Sequence, residues 1–148
     1  ELGLGEGAEY LCQRYLLPLP RVALGRGLPG LATAGMDISD GLAADAAHLA
    51  AASACGLEIE TARVPLSPAA SEMLAADPAL LELILSGGDD YELLFTLPEA
   101  RLPAVMALGR EVEIPVSVIG RVVAGDGLRL VDRAGNTVEL TRRGFTHA

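Results

Sequence analysis

The segment Met36-Asp37-Ile38-Ser39-Asp40-Gly41-Leu42 constrains the fold of this chain more than any other. The apolar run before it, Leu31, Ala32, Ala34 and Met36, reads as a short buried strand. The alanine-rich stretch after it, from Leu42 to Leu49, has helical composition. Asp37, Ser39 and Asp40 are therefore expected where a strand ends and a helix begins. At such a junction, free N–H groups and the helix dipole favour anions such as phosphate, and adjacent carboxylates can hold a hard cation. The plainer reading makes Ser39 or Asp40 an N-cap and nothing more.

A second acidic segment, Ser86-Gly87-Gly88-Asp89-Asp90-Tyr91-Glu92, leads into the apolar run Leu93-Leu94-Phe95-Thr96-Leu97. The paired glycines allow positive φ or a close backbone approach. Asp89, Asp90 and Glu92 crowd together and repel one another unless a cation or a hydroxyl donor sits among them. A polar turn entering a strand is the alternative reading here.

With 148 residues the chain has the size of one domain. Half of it is hydrophobic but only 3% is aromatic, so Leu, Val, Ile and Ala must fill the core. The net charge of −9 argues against nucleic acid and against an anionic membrane surface, and suits a site that handles divalent cations. All 11 basic residues are Arg. Without Lys, P-loop, Schiff-base and kinase strand-lysine chemistry are excluded within this chain, leaving metal, Arg or backbone amides to meet phosphate charge. Cys12 and Cys55 have no metal-ligand spacing and read as buried or bystander thiols in a reducing cytosol. No segment resembles a signal peptide, and Asp45 and His48 interrupt the most apolar stretch, which argues against a membrane span. Because the chain begins at Glu1 and not Met, it is expected to be a piece of something longer.

Apolar spacing predicts a helix over Glu6 to Leu17 that stops at Pro18. The Pro- and Gly-rich stretch to Gly30 reads as an ordered linker, with an ordinary surface loop equally compatible with its composition. Residues 1–30 are thus assigned as linker helix and loop from a missing amino-terminal domain, and 31–148 as the domain proper. A helix from about Gly41 to Ala54 precedes a short strand at Leu57-Glu58-Ile59-Glu60. Ser67 and Pro68 start a helix toward Ala76, and another spans Ala79 to Leu85. A helix is expected over Pro98 to Gly109, with one or two strands over Val112 to Val123. A hairpin is expected over Leu128 to Leu140, turning at Arg133-Ala134-Gly135-Asn136. His48, alone on its helix, reads as a surface or core-edge residue. The mixture of helices, strands and hairpins suggests an α+β fold.

Three features then become recognisable in order: Met36-Asp37-Ile38-Ser39-Asp40-Gly41-Leu42, Ser86-Gly87-Gly88-Asp89-Asp90-Tyr91-Glu92-Leu93-Leu94-Phe95, and the terminal Gly144-Phe145-Thr146-His147. Together they resemble the carboxyl-terminal domain of the thiamine-monophosphate kinase family. That family belongs to the superfamily of aminoimidazole ribonucleotide synthetase, selenophosphate synthetase and a hydrogenase maturation protein. The resemblance implies an α+β fold, a mixed sheet with helices packed on its faces, partly ferredoxin-like. It also implies a cytoplasmic kinase that moves the γ-phosphoryl of ATP onto thiamine monophosphate with several magnesium ions, without a phosphoenzyme.

By the same resemblance, Asp37 and Asp40 are magnesium ligands and Ser39 contacts the nucleotide phosphates. Asp89 stands where relatives usually carry Glu, one methylene longer, to contact the thiamine part of the substrate. Phe145 matches an aromatic that stacks on the thiamine ring, a sensible arrangement for a cationic thiazolium. The amino-terminal half is expected to form a homodimer and supply most of the adenine pocket, so this chain alone is expected to be inactive. The alternatives are another ATP-using member of the superfamily acting on a different small molecule, or a non-catalytic domain of the same fold.

Overall fold

The computed structural model describes residues 5–141. Helix α1 (Glu6–Leu16) opens it, followed by a short helix α2 (Val22–Gly27) within the Pro/Gly-rich stretch. Strand β1 (Ala34–Asp37) runs into α3 (Leu42–Ala52), which is followed by β2 (Gly56–Glu60), α4 (Pro68–Ala76) and α5 (Leu80–Ser86). Strand β3 (Leu93–Thr96), α6 (Leu102–Glu111), β4 (Gly120–Val123) and β5 (Gly127–Val131) complete the order. The fold is α+β. Strands β1 and β3 form an antiparallel pair, and a second, mixed sheet has the order β4-β2-β5. In it β2 runs antiparallel to β4 and parallel to β5.

Helix α3 is the hub. It packs on strands of both sheets and on α5. Its composition explains this: Ala46 and Ala50 are fully buried, and their small side chains let strands approach closely, while Leu42 and Leu49 fill the space between. Leu57, Ile59 and Leu130 from the mixed sheet, Leu94 from β3 and Leu85 from α5 join the same core. With so few aromatics, the core is built by fitting small aliphatic groups together.

Helix α4 begins as its sequence implies. Ser67 Oγ accepts the Ala70 N–H at 3.2 Å, with proline in the first turn. Helix α2 was not legible as a helix among its glycines and prolines. Tertiary packing supports it: Leu24 is buried, and a Cβ at Gly27 would lie 2.6 Å from the Leu108 methyls of α6. Only the end of the apolar run 112–123 becomes a strand. Glu113 adopts φ +56°, Ile114 N–H bonds back to the Gly109 carbonyl at 2.9 Å, and Pro115 has no N–H to give a ladder. The expected hairpin after β5 is reduced to one bridge, Val131 with Thr137, plus a 2.9 Å bond from Val138 N–H to the Leu130 carbonyl. Its turn is held by Asp132, whose carboxylate accepts the Ala134 and Asn136 N–H groups at 2.8 and 2.9 Å. No helix among the described residues is long and apolar enough to cross a membrane.

Candidate functional site

The antiparallel register of β1 and β3 places Asp37 opposite Leu93 and Met36 opposite Leu94. The end of β1 therefore lies beside the start of β3, and the two acidic segments meet although about fifty residues separate them in the chain. Three backbone bonds join them. Ile38 N–H donates to the Glu92 carbonyl at 2.8 Å, Tyr91 N–H to the Ile38 carbonyl at 3.2 Å, and Asp89 N–H to the Ser39 carbonyl at 2.9 Å.

Two glycines make this contact possible. A Cβ at Gly88 would stand 2.2 Å from the Ser39 carbonyl oxygen, and one at Gly41 would stand 2.6 Å from that of Ser86. Gly41 also has φ +103°, which an L side chain rarely adopts. Asp89 and Tyr91 hold left-handed φ values of +65° and +55° without being glycine. Such conformations persist only where neighbouring structure over-determines them, and they cluster at functional sites.

Asp37 is exposed at the end of β1, Ser39 is exposed, Asp40 is half-buried, and Asp89 is exposed across from them. The structure thus brings together the four described residues expected to form a site. Phe145 lies outside the described residues. His48 is exposed on α3, and Cys12 and Cys55 are free, exposed and half-buried respectively.

The helix begins differently from the N-cap reading. Gly41 is the N-cap of α3 and offers no side-chain cap. Asp45, one turn inside the helix and only 1% exposed, reaches back instead. Its Oδ2 accepts the Ser39 N–H at 2.8 Å and the Asp40 N–H at 3.0 Å. Two of the amides expected to be free for an anion are therefore held by a carboxylate of the chain itself. This fixes the turn that carries Ser39 and Asp40. A signal existed in the sequence, an acidic residue in the first turn five after Asp40, but helical periodicity alone does not reveal that it folds backward.

The repulsion among Asp89, Asp90 and Glu92 is relieved from far upstream. Arg21, at the start of α2, makes a two-pronged pair with Glu92, Nε to Oε2 at 2.9 Å and Nη2 to Oε1 at 2.6 Å. Arg14, near the end of α1, stands 3.5 Å from the same carboxylate. The pairing raises the Arg21 pKa further. Removal of water by the surrounding protein pushes the Asp90 carboxyl up to about 6, and the charges of Glu92, Asp89 and Asp45 add to this while Arg14 opposes it. No sequence pattern links Arg14 or Arg21 to Glu92; the tertiary fold makes that contact.

Among the described residues, no group of three or more His, Cys, Asp or Glu side chains converges as a metal cage. The surface instead offers carboxylates beside backbone turns. A shallow groove of about 420 Å³ adjoins it along β1 and β3, bounded by Leu28, Met36, Asp37, Leu93 and Phe95.

Comparison with known proteins supplies the wider context. Residues 14–133 match the family described as AIR synthase related protein, C-terminal domain. Thiamine-monophosphate kinase of Escherichia coli strain K12 is 42% identical over 142 residues, 95% of this chain and 43% of that protein. The crystal structure of thiamine-monophosphate kinase from Stenotrophomonas maltophilia K279a, 40% identical, superposes with a TM-score of 0.79 over 84% of this chain and 39% of that one. The structure of AaThiL complexed with AMPPCP and TMP, 33% identical, superposes with a TM-score of 0.80 over all of this chain and 44% of that one. The chain spans less than half the length of these relatives.

Proposed function

Since this chain belongs to the family of AIR synthase related protein C-terminal domains, we propose that it is the carboxyl-terminal part of an enzyme that phosphorylates thiamine monophosphate with ATP, giving thiamine diphosphate and ADP. The observation that carries this reading is the hydrogen-bonded junction of the two acidic segments, Asp89 N–H to the Ser39 carbonyl at 2.9 Å. It joins Ser39, which the resemblance assigns to the nucleotide, to Asp89, which it assigns to thiamine.

In the reaction a phosphate oxygen of thiamine monophosphate attacks the γ-phosphorus, and the bond to the departing ADP breaks. Both reactants are anionic, so catalysis rests on positioning and charge neutralisation more than on covalent help. Asp37 and Asp40 would hold magnesium. The donor set fits that ion: magnesium commonly takes one or two carboxylates and completes its shell with water and substrate phosphates, so a full protein cage is not required. When bound, it supplies charge neutralisation between the two phosphates. Ser39, on the turn fixed by Asp45, would contact a nucleotide phosphate. Asp89 would contact the thiamine part of the substrate, with a side chain one methylene shorter than Glu. By the resemblance, Phe145 would stack on the thiamine ring. The amino-terminal part found in the longer relatives would supply the adenine pocket and the dimer contact, so this chain alone is inactive.

The test is ADP release from ATP and magnesium by the protein carrying both parts, with thiamine monophosphate against free thiamine and with Asp40→Asn as control. Turnover confined to the monophosphate and abolished by Asp40→Asn supports the assignment. A folded, nucleotide-binding protein without turnover points to a different small-molecule acceptor. Absence of nucleotide binding points to a non-catalytic domain.

A further inference from the structure

The loop carrying Asp89, Asp90 and Tyr91 has to be held in shape, because two of its non-glycine residues occupy left-handed backbone conformations. On one side it is tied to the β1–α3 turn by the Asp89 and Tyr91 amides. On the other it ends at Glu92, whose backbone carbonyl accepts the Ile38 N–H at 2.8 Å. The Glu92 side chain points the opposite way, into the Arg21 fork, with Arg14 3.5 Å off. Glu92 is therefore shared between the strand ladder and the amino-terminal helices. Arg14 Nη2 stands beside the same carboxylate, and its Nη1 is buried with no hydrogen-bond partner among the described residues.

We propose that Arg21 and Glu92, with Arg14 in support, are positioning residues for the acceptor side of the site. The ion pair latches the Asp89–Tyr91 loop onto α1 and α2 and so fixes where the acceptor is met. This rests on the function proposed above. The donor side shares the Asp89 and Tyr91 bonds with the loop but has a second anchor of its own: Asp45 holds the Ser39 and Asp40 amides, and the ion pair makes no bond to it. Loss of the ion pair should therefore disturb the acceptor side more than the donor side.

An exposed ion pair ordinarily adds little to global stability, and Glu92 is 41% exposed. The two-pronged geometry instead fixes direction, which a lysine ammonium would not reproduce. Misplacing a contact by a fraction of an ångström weakens productive binding steeply, so loss of the latch should raise KM for thiamine monophosphate about tenfold or more. KM for ATP should stay within about twofold, because its contacts lie on the turn held by Asp45.

The experiment compares Arg21→Gln, Arg21→Lys, Glu92→Gln and the swapped pair Arg21→Glu with Glu92→Arg. The protein carrying both parts is used for kinetics, and this chain is used for amide hydrogen exchange. The expected result is a selective rise in KM for thiamine monophosphate, an intermediate value for Arg21→Lys and partial recovery in the swapped pair. The Asp89 and Tyr91 amides should exchange faster, while those of Ser39 and Asp40 keep their rates. Equal effects on both substrates, or unchanged Asp89 and Tyr91 exchange in a folded variant, would overturn the latch. If the unaltered enzyme fails to use thiamine monophosphate, the functional reading falls, and the exchange measurement still decides the latch.

Discussion

Replacing Gly88 with alanine forces apart the junction on which the candidate site depends. The added Cβ would sit 2.2 Å from the Ser39 carbonyl oxygen and 3.1 Å from its carbon, both backbone atoms that cannot swing aside. The two segments must part by roughly an ångström to restore ordinary contact. At that separation the 2.9 Å bond from Asp89 N–H to Ser39 is lost. Its loss costs about 1 kcal/mol, and forced overpacking adds about 1–3 kcal/mol. Reduced freedom of the unfolded chain returns about 0.5 kcal/mol. A net loss of about 1.5–3.5 kcal/mol corresponds to a fall in Tm of roughly 5–11 °C for a domain of this size.

Calorimetry and urea titration of Gly88→Ala measure this, with Gly30→Ala for comparison. Gly30 has φ +83° and nothing within 4 Å of its Cβ position, so it reports backbone strain alone, about 1 kcal/mol. The larger loss is expected at Gly88, together with faster exchange of the Asp89 amide. A Gly88→Ala protein as stable as Gly30→Ala, with that amide still protected, would refute the packed junction.

Three other measurements follow from the same structure. Asp45→Ala removes the acceptor of two part-buried N–H groups and should cost about 1–3 kcal/mol by urea titration. Asp45→Asn should cost much less, because a single oxygen accepts both bonds and an amide oxygen can take its place; equal losses would argue against the back-reaching bonds. Asp90→Asn should stabilise the chain above pH 6. The folded carboxyl titrates near 6 against an ordinary 3.8, so the native state loses stability as pH rises between those values and carries the full penalty above them. After allowance for solvent screening the gain is on the order of 1 kcal/mol, vanishing below about pH 4 in pH-dependent melts; a gain that persists at low pH would contradict this. Leu85→Ala, at a fully buried position, should cost about 2–5 kcal/mol in urea titration, while Leu83→Ala, 63% exposed on the same helix, should stay within about 0.5 kcal/mol.

Local pattern was a good guide wherever an element depends on its own residues. The alanine-rich helix, the Ser67–Pro68 start and the strand from Leu93 each rest on propensity, capping or periodicity, and each forms. Both acidic segments were legible for the same reason, since their chemistry is dense and contiguous. The expected strand before β4 failed where Pro115 and the left-handed Glu113 interrupt pairing. Helix α2 was hidden because its stability comes from Leu24 and Gly27 packing on other elements, which its own composition does not announce. Asp45 and Arg21 were visible as residues but not as parts of a site, because each acts on a partner outside its own local pattern.

By itself, then, the sequence determined the elements that rest on local pattern, the absence of lysine chemistry within this chain and the identity of the two acidic segments, all properties carried by neighbours along the chain. The tertiary structure decided that the segments are one surface, that Asp45 and not a cap holds the Ser39 turn, and that Arg21 answers Glu92 from 71 residues away. The physical reason is range. Periodicity and capping act within a few residues, whereas strand register, glycine close approach and ion pairing are settled only when the whole core has packed.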